Sequence, residues 1–486
     1  MTTSPSPPRA APAAPQATTL HAIARKPAAV VSGDTPLAQA LALMHGRRIG
    51  SLVVVDAAGA ALGILTRSDV LERVTLPQLL LSAPVAQVMS SPVKTLDVAA
   101  SAQDAVLLMS RHGLRHVPVT DQGRVVGIVS ERDLLTLQRP STERLSDAIH
   151  AARSVDELRV AAQDIRRFAG ELLAQGVGAH QLTRLISHLN DVLTERLVRI
   201  TADAHGLSLD RACWLSFGSE GRSEQTIATD QDNGLVFDSD APARDRAAWL
   251  AFAGDVNEAL DACGYPLCRG NVMASNPECC LTSAEWSARF LGWIEHGAPE
   301  DLLNASIYFD VRPLAGRVEL AQPMLDLVFN RPAKVPRFVK QMAENALFRR
   351  PPLNWLGAID SREVDGRSVV NLKLQGTAIF VDAARLYALA HGVAQTSTRR
   401  RFEAVAPMLG VQPHESEGWI AAFEFLQKLR LQVQVKPAAT DNAGKAADHL
   451  NIAEVSALND IESRVLKESF RVARRLQQRM ELDYRR

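Results

Sequence analysis

The stretch at residues 214–238 reads WLSFGSEGRSEQTIATDQDNGLVFD and holds the most chemically pointed pattern in the chain. A short apolar run ends in Gly218-Ser219, a polar loop follows, and Asp230-Gln231-Asp232 leads into a second apolar run at residues 234–237. Residues two apart in an extended chain project from one face, so Asp230 and Asp232 present paired carboxylates to one point. Like charges so placed repel each other unless a cation lies between them. Mg2+ or Mn2+ is the natural partner, because a divalent ion on two carboxylates also takes the phosphates of a nucleoside triphosphate. Gly218 lets the backbone approach a phosphate closely, the Ser219 hydroxyl can donate to a phosphate oxygen, and Arg222 can neutralise charge developing there.

Such a site needs a scaffold, and the chain is long enough for several. At 486 residues it exceeds one hydrophobic core and suggests roughly three domains. Apolar residues at 47% and charged residues at 22% fit an ordinary globular protein. Lys plus Arg equals Asp plus Glu at 54 each, which gives no global field for nucleic acid or an anionic membrane. Residues 1–19 are rich in Pro and Ala without an apolar core, and no run of about 18 apolar residues follows. A cytoplasmic protein with a disordered tail at 1–19 is the reading. Cys213, Cys263, Cys268, Cys279 and Cys280 lack the paired spacing of a structural zinc site and read as reduced, partly buried thiols.

The first 140 residues contain an internal repeat. ALALMHGRRIGSLVVVD at 40–56 aligns with AVLLMSRHGLRHVPVTD at 105–121, and GAALGILTRSD at 59–69 aligns with GRVVGIVSERD at 123–133. Each copy reads as a β-α-β-β-α unit whose middle strands, 52–55 with 63–65 and 116–119 with 127–129, join through a turn at Asp56 or Asp121 with a nearby Gly. One such unit cannot bury its sheet alone, so two should pack together. Residues 20–138 resemble a pair of CBS domains, a family that binds adenosine-containing ligands in clefts between its repeats. The resemblance implies a hydroxyl for phosphate and a carboxylate for ribose, here Thr66 with Asp69 and Ser130 with Asp133. Ser130 and Asp133 are the better pair, since the family often fills one cleft. Thr66 and Ser130 also read simply as helix N-caps.

At 141–201 the apolar spacing turns helical, in two runs separated by Gly176 and Gly178, which predicts a helical hairpin connecting two domains. After Pro332 helical patterns dominate, at 337–348, 377–390, 418–433 and 451–480, with a loop at 436–445.

The string FGSEGRSEQTIATDQDN, with Asp-x-Asp eleven residues after Ser219, resembles the DNA polymerase β-type nucleotidyltransferase superfamily. Within that superfamily it is similar to the DUF294 family, relatives of the uridylyltransferase of the PII signalling protein that often carry CBS repeats upstream. The resemblance implies that Gly218, Ser219, Arg222, Asp230 and Asp232 form the nucleotide and metal site. The superfamily also implies a third carboxylate from a later strand, and residues 265–276 offer none. Asp310, in the β-like run at 306–311, becomes the candidate third ligand or base; a structural ion pair with Arg312 or a neighbour is the alternative. Residues 333–486 resemble the family's C-terminal domain, and Lys373 is the candidate phosphate-contacting cation there, against the plainer reading of a solvated lysine. Gly270, Asn271 and Asn276 read as base or sugar contacts, or as ordinary turn residues.

The whole is an α+β multidomain protein: a CBS pair at 20–138, a helical connector at 141–201, a polymerase β-like α/β domain at 202–332, and a mostly helical C-terminal domain at 333–486. Its expected activity is transfer of a nucleoside monophosphate to a hydroxyl acceptor, possibly a protein, with Mg2+ and an adenine nucleotide on the CBS repeats. A homodimer is expected, and nucleic acid is not an expected partner. The alternative is a non-catalytic nucleotide sensor.

Overall fold

The computed structural model describes residues 19–24, 27–47, 49–70, 73–74, 77–112, 114–130, 133, 139–298, 302, 306–364, 366–435 and 450–484. The tail expected at 1–19, save Thr19, and the loop expected at 436–445 lie outside these residues. The chain forms two compact units, residues 1–143 and 144–486.

The first unit holds the two repeats. Strands β1 (Val30–Ser32), β2 (Ser51–Val55) and β3 (Ala61–Thr66) form one sheet with helix α1 (Leu37–Gly46). Strands β4 (Leu96–Asp97), β5 (His116–Asp121) and β6 (Arg124–Ser130) form the other with helix α2 (Ala102–His112). In both copies the first pair of strands is parallel and the second antiparallel. The expected turn is present in the first copy, where Asp56 Oδ1 accepts from the backbone of Ala58 and Ala60 at 2.9 and 2.8 Å. The helical turn Leu20–Ile23 precedes the first repeat in sequence but packs in the second: buried Leu20 joins Ala105, Met109, Val117 and Val129.

In the second unit, the order β10-β7-β8-β9 defines a four-stranded sheet: β7 (Ala212–Ser216), β8 (Asn233–Phe237), β9 (Cys280–Thr282) and β10 (Arg312–Gly316). Every residue of β7 and β8 is buried because the sheet is covered on both faces. Ala212, Trp214, Leu235 and Phe237 face a core with Leu158 of α3 (Val155–Ala174), Leu193 and Leu197 of α4 (Ala179–His205), and Trp249 and Phe252 of α5 (Pro242–Ala262). The alternate residues Cys213, Leu215 and Val236 face a second core, which runs into the C-terminal helices. That core takes Phe380 from α6 (Ala378–Ala390), Phe402 from α7 (Thr398–Val405), Leu426 from α8 (Pro413–Val435) and Phe470 from α9 (Asp460–Tyr484). A fully buried aromatic such as Trp214 stabilises by about 2–3 kcal/mol. The segments expected as connector, α/β domain and C-terminal domain therefore share two continuous cores.

Two local expectations need correction. Residues Ser306–Phe309 form a 3-10 turn, and the strand begins only at Arg312. The helix expected from residue 451 starts at Asp460, because Ile452–Glu454 pairs as β13 with β12 (Arg367–Asn371), beside β11 (Arg362–Val364).

Candidate active site

Strands β7 and β8 form an antiparallel pair with Ser216 opposite Asn233, so Gly218-Ser219 and Asp230/Asp232 stand at the two feet of one hairpin. The backbone N–H of Phe217 donates to the Asp232 carbonyl at 2.8 Å and draws the feet together. Asp230 and Asp232 lie just before the strand rather than in it, and both stay more exposed than the residue between them. The reason is Gln231, whose side chain is pinned in the interior: its amide donates to the carbonyls of Asn257 and Tyr265 at 2.9 and 2.8 Å, and accepts from Asn257 at 2.7 Å.

Gly218 has φ of +56°, and a Cβ there would lie 2.7 Å from Asp232 Oδ2. Only glycine therefore leaves room beside the carboxylate. Ser219 Oγ lies 3.2 Å from Thr229 Oγ1, which closes the loop across its mouth. Ser223 also adopts the left-handed region, with φ of +54°, a strained conformation of the kind that gathers at functional loops.

The pair is electrostatically poised. Burial pushes the Asp232 carboxyl up to about 6, the thiol of Cys268 donating at 3.3 Å and the charge of Lys373 pull it down, and Asp230 raises it further. Lys373 Nζ sits 3.9 Å from Asp230 Oδ2, so the sequence-chosen lysine reaches the carboxylates from the C-terminal region. Among the described residues no group of three His, Cys, Asp or Glu side chains is placed to hold a metal ion. The protein side of the site offers two hard carboxylates, a donor set that suits Mg2+ only when phosphate oxygens complete the coordination.

Two of the expected site residues are tied into contacts within the protein. Asp310 is fully buried and engaged by three guanidiniums: Arg222 Nη1 and Arg385 Nη2 donate to Oδ2 at 2.6 Å, and Arg401 Nη1 donates to Oδ1 at 2.5 Å. Although burial opposes ionisation, the charges of Arg385, Arg401 and Arg222 hold the carboxyl well below the usual range. A carboxylate so held is a weak base, and its charge is already matched by three guanidiniums. Arg222 is committed to the same network, since its Nε also donates to Glu224 at 2.9 Å. Glu224 in turn accepts from the backbone N–H and hydroxyl of Thr398, at 2.5 and 2.9 Å. These residues lock the hairpin loop to α6 and α7. Asn276 caps the turn Pro277–Cys279 and donates to the Asn271 carbonyl at 2.9 Å, which accounts for both as loop residues.

Sequence reasoning passed over Glu220, although it lies inside the Gly-Ser loop. Its carboxyl is 6% exposed and is pushed up to about 8 by burial, then by the charge of Asp191, with Asp232 adding to the effect and Arg312 opposing it. The folded state holds this proton to higher pH than the unfolded chain, so stability falls as pH rises from about 4.5 to about 8. Glu220→Gln removes that penalty. Its gain in melting temperature over the parent is expected to grow across this window and level off above it, and a pH-independent difference in thermal melts would refute the assignment.

The connector buttresses the same loop. Ser187 Oγ accepts from the Gln225 backbone at 3.0 Å, Asn190 donates to Gln225 at 3.2 Å, and Arg312 pairs with Asp191 at 2.8 Å.

In the first unit, Thr66 and Ser130 both donate to their partner carboxylates, Asp69 and Asp133, at 2.6 Å. Asp69 is buried, its Oδ1 accepts from Ser90 at 2.8 Å, and both its oxygens are engaged. Asp133 Oδ1 has no such partner among the described residues, and Asp133 is exposed.

Comparison with known proteins gives family matches in separate stretches of the chain. Residues 163–300 match the family described as "Putative nucleotidyltransferase DUF294", residues 336–484 match its "substrate binding domain", and residues 20–75 and 85–139 each match the CBS domain. The CBS domain-containing protein YhcV of Bacillus subtilis is 34% identical over 110 residues, which are 23% of this chain and 78% of YhcV. An uncharacterized protein of Methanocaldococcus jannaschii is 34% identical over 118 residues, 22% of this chain, and only 28% of that relative is spanned. Two solved structures match over a quarter of the chain. An uncharacterized conserved protein from Pyrococcus horikoshii has 30% identity, 25% of this chain and 92% of that one covered, and a TM-score of 0.24. The CBS domain pair of MJ0100, in complex with 5'-methylthioadenosine and S-adenosyl-L-methionine, has 25% identity, coverage of 26% and 98%, and a TM-score of 0.24. The chain belongs to the DUF294 family of nucleotidyltransferases, with that family's C-terminal substrate-binding domain and an N-terminal CBS pair.

Proposed function

We propose that this protein transfers a nucleoside monophosphate from a nucleoside triphosphate to a hydroxyl on a protein acceptor, in the manner of a uridylyl- or adenylyltransferase. One observation carries the reading: the left-handed turn at Gly218 and the Asp230/Asp232 pair meet at the feet of one hairpin, with Lys373 arriving beside them. The acceptor oxygen attacks the α-phosphorus, the bond to the bridging oxygen breaks, and pyrophosphate leaves. Gly218 admits the phosphate chain against the backbone, and Ser219 donates to it. The acceptor proton is lost to solvent beside Asp230, whose side chain is 46% exposed. Asp230 and Asp232 would hold Mg2+ or Mn2+, which supplies charge neutralisation at the phosphates.

An adenine nucleotide at Ser130 and Asp133 regulates the transfer in this reading, since Asp133 keeps an oxygen without a partner among the described residues and Asp69 does not. A homodimer in the cytoplasm completes it. Among the described residues no helix is long and apolar enough to cross a membrane.

The second reading, a nucleotide sensor without turnover, is favoured by the engagement of Asp310 and by the lack of a three-ligand metal group among the described residues. Incubating the purified protein with each labelled nucleoside triphosphate and Mg2+ in a lysate of its source separates the two. Label on a protein with release of pyrophosphate supports transfer; nucleotide binding without either product moves the assignment to the sensor.

A further inference from the structure

The buried guanidiniums of the second unit differ in one respect. Arg222, Arg385 and Arg401 each pair with a carboxylate, whereas Arg430 on α8, 8% exposed, has only neutral partners among the described residues. Its Nε donates to Asn451 Oδ1 at 3.0 Å and its Nη1 to Gln427 Oε1 at 2.7 Å. Burying a cation without a counter-charge is costly unless an anion arrives. One turn along the same face, Gln434 accepts at Oε1 from the backbone N–H of Ala228 at 3.2 Å, two residues before Asp230. Its Nε2 is a buried donor with no acceptor among the described residues. Helix α8 thus lays one unmet donor, Gln434 Nε2, on the loop that carries Asp230, with the Arg430 guanidinium one turn away on the same helix, and Lys373 stands 3.9 Å from that carboxylate. The carboxylates whose charge reaches Arg430 are Glu224 and Asp230, the first already held by Arg222 and Thr398.

We infer that Arg430, with Lys373 and Gln434, forms an anion site for the β- and γ-phosphates of the incoming triphosphate, supplied by the C-terminal region across from the hairpin. The inference rests on the nucleotidyltransferase reading for its ligand. It explains how a site whose sequence-chosen arginine, Arg222, is committed elsewhere still neutralises a polyphosphate. The planar fork of a guanidinium suits adjacent phosphate oxygens, and a lysine offers only a point charge.

The test is titration of the full chain with inorganic tripolyphosphate and Mg2+, a probe without the adenosine that CBS repeats recognise. Wild type is expected to bind, and Arg430→Gln to bind about 30-fold more weakly, the scale of a lost charged hydrogen bond. Arg430→Lys is expected to lose about tenfold with unchanged melting, and it decides the question if Arg430→Gln does not fold. Affinity within twofold of wild type in either folded variant overturns the site. Failure of the wider reading looks different: tripolyphosphate binding that depends on Arg430, with no label transferred to any acceptor, keeps the anion site and removes the transferase.

Discussion

The double substitution Asp230→Asn, Asp232→Asn is expected to lower label transfer by about a thousandfold or more while leaving the fold intact. Both carboxylates stand at the mouth of the hairpin, and neither is part of the ion network that ties the loop down. Their mutual repulsion and the burial of Asp232 make the pair a cost to the folded state. The Asp232 carboxyl is raised to about 6, so the native state keeps its proton to higher pH than the unfolded chain. Stability is therefore lost as pH climbs from the ordinary aspartate range through about 6. Asparagine removes that loss, so above this pH the variant should melt at or slightly above the parent temperature. Activity and stability would move in opposite directions, as when a site is maintained against its own folding energy. Transfer at more than a hundredth of the parent rate would place the chemistry elsewhere.

Much of this arrangement was legible in the sequence, for identifiable reasons. The repeat at residues 40–69 and 105–133 announced two copies of one unit because turn residues and apolar runs recur together, and the strands appear where that pattern put them. The pairing of Asp230 with Asp232 followed from a spacing of two, and the structure keeps it by anchoring Gln231 in the interior. Contacts between residues distant in sequence were not legible. Asp310 looked like the missing carboxylate because nothing local shows that Arg222, Arg385 and Arg401 converge on it. Glu220 was hidden for the same reason: besides burial, the charges that act on its carboxyl come from Asp191 and Arg312, in the connector and a later strand. The β13 strand was read as helix because its three residues take their structure from pairing with β12, not from any period of their own.

Replacing Asp310 with alanine is expected to destabilise the second unit by about 3–5 kcal/mol, the scale for removing one partner of a buried ion group. Three guanidiniums would remain, with Arg385 and Arg401 at 5% and 1% exposure and no way to reach water without opening the core. Asp310→Asn should do almost as much damage, since the amide keeps one acceptor but removes the charge that balances the arginines. Arg401→Met should cost less, because Asp310 would keep Arg222 and Arg385. The pH behaviour has a definite sign. The folded carboxyl is depressed, so its contribution is present above the unfolded value and vanishes only as pH falls through the folded one in strong acid. The gap between Asp310→Ala and wild type in urea melts should therefore be constant between about pH 5 and 8. A gap below about 1 kcal/mol, or a cost for Arg401→Met exceeding that for Asp310→Ala, would show that the network is not centred on this carboxylate. Because the same residues join the Gly218 loop to α6 and α7, a partly folded Asp310→Asn protein should also lose label transfer on warming before its helices melt. That order of events distinguishes a positioning carboxylate from a catalytic one, whose removal would abolish transfer at every temperature.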